Sequence, residues 1–525
     1  MTQTIETDVL VIGGGSAATR AAIEAARLGV KVTLVDKGVV SESGSSPNAL
    51  VGFSAQLVEE DSDELFLQDW LNASGGICDQ NLVMEAVRQG GETAKFCDDI
   101  GVDFLRNPDG SWFISQRAGH SAKRTLMAKG VGKKHANVIL AFRAAAIEQG
   151  VEFHEGVMVT RLLKQDDEIV GAFGIDASGE EFVFSAKSVV LATGGVNRLY
   201  PCICAGLEAP VSRTTGDGYS LGFHAGAPII DMEFTQFRDS PPAGPIFGAH
   251  YMNNIGERIM EKYDPVALER APRHMMAKAV YWENFEGRGP VVWYVEDDQV
   301  AKSRAPVGLE YTGGQVVEIT LQFQRLMGGA KINEKAETAI PRLFAAGESS
   351  GGIQGGDRMQ GCGFLETQVF GGIAGKNAAA LAQTEARVAI DPAIIAEEQS
   401  RLAKVAKGGS EDPAKFVETV QTIMWEQAGV VSDKETLEDA ISKLVSLRKD
   451  VVPQLDGDNM FAALEAANQV LTSEMVARAK LAREETRSCS NRRDFPEADE
   501  NWIKHVSITK DGDDIAMSTI PVVTL

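Results

Sequence analysis

The chain has 525 residues, of which 44% are hydrophobic and 24% charged, enough apolar material for a large core divided into roughly two to four domains. Its 74 acidic and 51 basic side chains leave a net charge of −23, which argues against nucleic acid, because phosphate contacts need clustered Lys and Arg. No apolar run approaches the roughly 18 residues that cross a bilayer, and MTQTIETDVL lacks the regions of a secretory signal, so a cytoplasmic location without direct membrane insertion is the expectation.

The first elements predict a βαβ unit. An apolar run from Asp8 to Ile12 is followed by a glycine turn, an Ala-rich helix from Ser16 to Leu28 and a second apolar run from Val30 to Val35. Strand signals at Ser188 to Ala192 and Arg342 to Ala346 run into Thr193-Gly194-Gly195 and Gly347-Glu348-Ser349. Such widely separated strand–glycine turns imply one doubly wound α/β nucleotide domain built from residues 1–228 and 320–388. Residues 229–319 change character, being richer in Met, Pro and aromatics, and read as an inserted capping domain. From 389 to 490 the apolar spacing is helical, over Glu397 to Ala406, Pro413 to Gln427, Lys434 to Leu447 and Met460 to Glu485, which predicts a C-terminal helical bundle and an α+β chain overall. The tail, 491–525, reads as irregular with a short strand. Cys78, Cys97, Cys202, Cys204, Cys362 and Cys489 form no C-x-x-C repeat, so they read as structural thiols, no metal site is expected, and any iron–sulfur cluster belongs to another polypeptide.

Gly13-Gly14-Gly15-Ser16-Ala17-Ala18 follows a predicted strand and opens a predicted helix, the context that gives a dinucleotide fingerprint its meaning. Gly13 permits the tight turn, Gly15 lets the backbone approach a pyrophosphate held by amides at the helix N-terminus, and Ala18 is small enough for helix and strand to touch. Asp36, at the end of the second strand, suits the ribose hydroxyls. This motif alone leaves NAD and FAD equally plausible; the repeated glycine-flanked strand ends favour FAD.

Further motifs make a resemblance specific. They are Thr215-Gly216-Asp217-Gly218, Asp231-Met232-Glu233-Phe234-Thr235-Gln236-Phe237, Asn253-Asn254-Ile255-Gly256-Glu257-Arg258, Glu269-Arg270-Ala271-Pro272-Arg273, Met327-Gly328-Gly329 and Arg358 through Glu366 to Phe370-Gly371. Arg487, Arg492, Asp494-Phe495-Pro496 and Glu500-Asn501-Trp502 close the series. In this order, over nearly the whole chain, they resemble the FAD-binding flavoprotein superfamily of succinate dehydrogenase, fumarate reductase, adenylylsulfate reductase and L-aspartate oxidase. The resemblance implies that Lys37, Thr193, Gly194, Asp217 and Glu348 lie at the FAD site, and that Phe364 and Leu365 present backbone amides to the pyrimidine end of the flavin, where reduced flavin carries negative charge. Many members hold the flavin covalently through a histidine; the corresponding position here is Ser46, which implies non-covalent FAD. An iron–sulfur partner and a hetero-oligomer follow from the same resemblance.

By resemblance Arg273 takes the position of the proton-delivering arginine and Arg358 that of a carboxylate clamp, a role suited to a fork of fixed donors. Arg238 and Gln324-Arg325 stand where the dicarboxylate enzymes have histidines, and the segment feeding their proton arginine is replaced by Ser240-Pro241-Pro242-Ala243-Gly244-Pro245-Ile246. These departures imply a small anionic substrate other than fumarate or succinate, faced by several of Arg238, Arg273, Arg325 and Arg358, with His250 or His120 as the imidazole that could replace the lost relay. The leading expectation is redox chemistry at a C–C bond beside a carboxylate or thioester. Sulfur chemistry of the adenylylsulfate reductase kind, and an electron-transfer subunit without its own substrate site, remain open. No H-E-x-x-H or G-x-S-x-G occurs, which sets hydrolase chemistry aside.

Overall fold

The computed structural model describes residues 2–48, 52–117, 119–129, 137–202, 214–240, 249–295 and 316–525; Cys204 and the 241–246 stretch lie outside them. In chain order, β1 (Gln3–Ile12), α1 (Ser16–Arg27) and β2 (Val32–Asp36) make the βαβ opening. There follow β3 (Gly52–Ser54), α2 (Asp63–Ser74), α3 (Gln80–Asp99), β4 (Thr125–Met127), α4 (Asn137–Glu148), β5 (Glu152–Glu155), β6 (Val157–Gln165), β7 (Glu168–Asp176) and β8 (Glu181–Leu191).

The main sheet has the order β5-β2-β1-β8-β7-β6. β5, β2, β1 and β8 run parallel, whereas β7 and β6 are antiparallel additions. Val9 to Ile12 and Val189 to Leu191 are buried, as parallel strands covered on both faces must be. α1 packs against the helix Cys362–Thr384. A methyl group at Gly375 would sit 2.1 Å from the Ala21 carbonyl oxygen, so only glycine lets these two helices touch.

Next come α5 (Asp217–Ala225), β9 (Ile229–Ile230), β10 (Thr235–Ser240), β11 (Ala249–Met252), α6 (Met260–Tyr263), α7 (Arg273–Phe285), β12 (Val292–Val295), β13 (Val316–Glu318), β14 (Thr320–Leu326), β15 (Gly329–Lys331), β16 (Leu343–Ala345) and β17 (Ser350–Gly351). The β11-β12-β13 sheet shares a separate apolar core with α6 and α7, built on Tyr251, Met260, Val280 and Trp293. Residues 229–240, read from sequence as the start of the insert, pair outside that sheet: β9 with β15, and β10 with β14. β16 joins the main sheet beside β8, matching Leu343 with Val189 and Ala345 with Leu191.

The C-terminal helices are Pro392–Lys407, Pro413–Gln427, Lys434–Ser446 and Met460–Ala482. Asp391 and Asp412 cap the first two, each followed by a proline whose missing N–H costs nothing there. The tail is more ordered than its sequence suggests. β18 (Lys504–Asp511) and β19 (Asp514–Pro521) form a hairpin, and β18 pairs with β9 to complete the sheet β17-β15-β9-β18-β19. Among the described residues no helix is long and apolar enough to cross a membrane, and no cluster of side chains could hold a metal ion.

Candidate functional site

The strand ends converge first. Gly13 has φ 122°, and a Cβ there would lie 2.2 Å from the carbonyl oxygen of Ala192, so the C-terminal ends of β1 and β8 meet only because residue 13 is glycine. α1 then starts at Ser16 with no side-chain cap and no acid in its first turn, an arrangement that leaves helix-end amides for an anion. Ala17 and Ala18 are buried beneath it. The Ser46 hydroxyl accepts from the Ser16 amide at 3.1 Å, and Asp36 Oδ1 accepts from the Gly38 amide and the Ser43 hydroxyl, both at 2.8 Å. Gly14 makes room for that carboxylate, since a Cβ would come 2.9 Å from Asp36 Cγ.

At the end of β8, Gly194 takes the left-handed conformation, and its carbonyl accepts from the Ser349 hydroxyl (3.1 Å), which also lies 3.3 Å from that of Thr193. A Cβ on Gly195 would lie 2.2 Å from Glu348 Oε1. The carboxyl accepts from the Leu326 amide (3.3 Å), and burial pushes Glu348 up despite the neighbouring Arg325. Gly15, Asp36, Ser46, Thr193, Glu348 and Phe364 all keep partial solvent access. These positions therefore trace a cleft along the carboxyl ends of the parallel strands, where dinucleotides bind in this architecture.

Two residues expected at the FAD site also make close protein contacts of their own. Lys37 is committed to a buried ion cluster, with Asp217 at 2.7 Å and Glu465 at 2.8 Å, and donates to the Thr215 hydroxyl. Burial alone would lower Lys37, but the two acids more than reverse it; Asp217, also bonded by Asn468 and Thr215, is held below the usual range by Lys37 against its own burial. The side chains of Lys37 and Asp217 thus tie the cleft to the helix Met460–Ala482. At the helix Cys362–Thr384, Gly361 at φ 86° caps the N-terminus without any side-chain bond. The Leu365 amide donates back to the Gly361 carbonyl (3.3 Å), so the outward-facing donors of this first turn are at Gly363 and Phe364. Phe364 is fixed edge-on by Phe53 and Phe142.

Three arginines gather at this helix end. A Cβ on Gly363 would lie 3.1 Å from both Arg325 Nη1 and Arg358 Nη1. Arg325 Nη2 donates to Glu366 Oε2 at 2.8 Å, and Gln354 donates to the same oxygen at 2.7 Å. Burial works against Arg325, yet Glu366 and Glu348 keep it firmly charged, while burial pushes Glu366 up. Arg358 is pushed down to about 9 by burial and by Arg273 and Arg325; its side chain makes only 3.4 Å bonds, to the Met359 carbonyl and Gln236 Oε1. Among the described residues, the buried Nε atoms of Arg325 and Arg358 have no acceptor. Arg273 Nη1 is held by Gln324 Oε1 at 2.9 Å. Gln324 is the residue skipped when β14 pairs with β10, and this bulge lets successive side chains, Gln324 and Arg325, both be re-aimed toward arginine partners and acids.

Arg238 is buried on β10 and donates from Nε to the Asp239 carbonyl (3.3 Å). His250, on β11, lies opposite Tyr294 of β12, and strand alternation turns it to the face opposite Tyr251, whose hydroxyl reaches Asp239 at 2.7 Å. His120 bonds the Gln360 carbonyl at 2.8 Å in the loop after Arg358, and burial pushes it down to about 4. Sequence reasoning missed Asp357, which accepts from the Arg358 amide (2.8 Å), the Cys489 thiol (3.3 Å), Gln236 and His274 Nδ1 (2.6 Å). Its one signal was adjacency to Arg358.

The residues at the cleft fit FAD on structural grounds: two uncapped helix N-termini without acids, a ribose-type carboxylate at Asp36, and orphaned guanidinium N–H groups at the far end. Fold and site therefore define a dinucleotide-dependent oxidoreductase. The FAD binding domain family matches residues 8–319, and the fumarate reductase flavoprotein C-terminal family matches residues 417–525. The chain is 31% identical to a fumarate reductase (CoM/CoB) polypeptide of Methanothermobacter marburgensis, covering 96% of this chain and 97% of that protein. It is 30% identical to the L-aspartate oxidase of Caulobacter vibrioides, with 96% of each covered. The fold of a variant E. coli quinol fumarate reductase superposes with a TM-score of 0.90 at 24% identity, over 100% of this chain and 98% of that one. Adenylylsulfate reductase of Archaeoglobus fulgidus superposes at 0.81 and 22%, over 100% and 97%. This chain belongs to the fumarate reductase-type FAD flavoprotein family and is an FAD-dependent oxidoreductase.

Proposed function

We propose that this flavoprotein exchanges electrons with a small anionic substrate at a C–C bond next to a carboxylate or thioester, as the catalytic component of a cytoplasmic hetero-oligomer with an iron–sulfur partner. The observation that carries the reading is the pair of guanidinium groups of Arg325 and Arg358 packed on Gly363, each with a buried N–H lacking an acceptor. Buried donors left unsatisfied cost free energy, and an anionic ligand offsets that cost. FAD, when bound, supplies hydride transfer at its isoalloxazine ring and single-electron exchange with the partner. Ser46 at the position of the family's linking histidine supports a non-covalent cofactor. Arg325 and Arg358 clamp the anion, Arg273 is aimed by Gln324, and the insert carrying α7 excludes water from the reacting bond. The relatives' names, fumarate reductase and L-aspartate oxidase, support substrates that carry carboxylates.

Sulfur-oxyanion chemistry is the second reading. It is favoured by a cation cluster made of arginines, with Gln324 and Arg238 where the dicarboxylate enzymes carry imidazoles. The test is anaerobic reduction of the FAD-loaded chain, followed by addition of enoates, enoyl thioesters, or sulfite with AMP, reading the flavin spectrum. Reoxidation by an enoate or its thioester, lost in Arg358→Gln, supports the first reading. An AMP-dependent response to sulfite alone replaces it with the second. Silence toward all of them sinks both and leaves a partner-dependent electron carrier.

A further inference from the structure

Two of the three arginines that face the anion in this reading, Arg273 and Arg358, stand on separate parts of the chain. Arg273 is the first residue of α7, in the insert, whereas Arg358 lies in the loop before the helix Cys362–Thr384. The neighbours of these arginines bond to each other. His274, next after Arg273, places Nδ1 2.6 Å from Oδ2 of Asp357, the residue just before Arg358.

Asp357 is suited to hold that contact. It is 4% exposed, and its Oδ1 is already engaged by the Arg358 amide, the Cys489 thiol and Gln236. Burial alone would raise it, but the bonds from His274 and Gln236 hold it below the usual carboxylate range. An ionised carboxylate only accepts, so His274 Nδ1 is the donor and the tautomer is set. The carboxylate also faces the N-terminal turn of α7, which has no acid of its own. Gln236 extends the network, since it donates to Asp357 and to the Arg358 carbonyl (3.1 Å) and receives Arg358 Nη2 (3.4 Å).

We propose that the His274–Asp357 pair is the spacer that sets the distance between Arg273 and Arg358, and through it the length of anion the site accepts. The inference rests on the anion-clamp reading above. His274 and Asp357 act as positioning residues, since they work through the arginines. Loss of the pair frees α7 and the Arg358 loop to move relative to each other, and an anion whose two charged ends match the native spacing loses more than one that does not.

The experiment uses the full FAD-loaded chain and two probes, malonate and glutarate, which differ in the separation of their carboxylates. Affinities are read from the flavin difference spectrum for the parent chain, His274→Ala, Asp357→Asn and His274→Asn. Asparagine places an N–H donor near the position of Nδ1. The parent discriminates between the diacids; His274→Ala and Asp357→Asn shrink that ratio by about fivefold or more, and His274→Asn keeps it. Amide hydrogen exchange, measured without any diacid, rises at 273–276 and 358–361 together in the first two variants. An equal loss of affinity for both probes, or an unchanged ratio, overturns the proposal, because a merely structural contact would not be selective. Unchanged exchange on both sides overturns it too, even where a variant folds poorly enough to blur the titrations. A parent that binds neither diacid sinks the clamp reading and the spacer with it, whereas a discriminating parent with equally discriminating variants sinks the spacer alone.

Discussion

Two buried groups of charge differ in one respect that separates structure from function. Near the C-terminus, Arg483 bonds Glu233 (2.7 Å), Glu485 (2.8 Å) and the carbonyls of Trp502 and Lys504, and Arg487 shares Glu485. His505 lies beside it, clamped by Asp231 on Nδ1 and Asp79 on Nε2. Every nitrogen of these buried side chains has an acceptor; the exception on the acid side is Glu233 Oε2, and burial pushes Glu233 up to about 7. At the cleft, by contrast, Arg325 and Arg358 each retain an N–H with no acceptor. Both groups are buried, so burial of arginine is no sign of a site; what sets the cleft apart is two unsatisfied guanidinium groups converging on one glycine, Gly363.

The comparison breaks first at its strongest point. Arg483→Met, which strands Glu233, should cost about 3–5 kcal/mol of stability in chemical denaturation; a loss below about 1 kcal/mol would show that the network is not a structural anchor. The second test uses pH. Burial alone would lower His505, but Asp231 and Asp79 push it up to about 9 from an ordinary 6.5. A raised histidine stabilises fully below its unfolded value and loses that contribution as pH rises through the folded one. Stability should therefore decline by roughly 3 kcal/mol between about pH 6 and pH 10, with His505→Asn flattening that part of the profile.

Arg358→Gln should behave oppositely. It removes a charge that no protein acid pairs directly, so stability should hold within about 1 kcal/mol or rise, while anion affinity falls by about tenfold to a hundredfold. Differential scanning calorimetry and flavin difference titration on the same sample separate the two. The mildest change is Gly363→Ala. Its methyl would lie 3.1 Å from both guanidinium groups, and displacing them by a few tenths of an ångström should weaken anion binding by about a few-fold without moving the fold.

How much of this was legible in the sequence follows from distance along the chain. The βαβ opening and the helix starts at Pro413, Lys434 and Met460 depend on local spacing and caps, and they stand where that spacing put them. β18 and β19 were read as mostly irregular tail, because their burial comes from β9, a two-residue strand with no pattern of its own. The bulge at Gln324 depends on register with β10. The ion cluster that joins Lys37 and Asp217 also takes in Glu465, far along the chain, which no local pattern announces. His274 and Asp357 could not be paired from sequence, since nothing in an isolated imidazole or carboxylate specifies its partner. The arginines were visible only through their motifs, and which of them lacked acceptors was not.

β8 pairs with β1 along nearly its full length, but its other edge is divided. β7 covers the first half and β16, some 150 positions later, covers the second. During synthesis, the apolar edge Val189 to Leu191 must wait uncovered while the whole insert is made. The cleft is closed only when the helix ending at Thr384 has left the ribosome and lain down on α1. A nascent chain of 230 or 300 residues therefore holds the glycine fingerprint without a floor beneath it, and cofactor capture belongs to the late stage of translation.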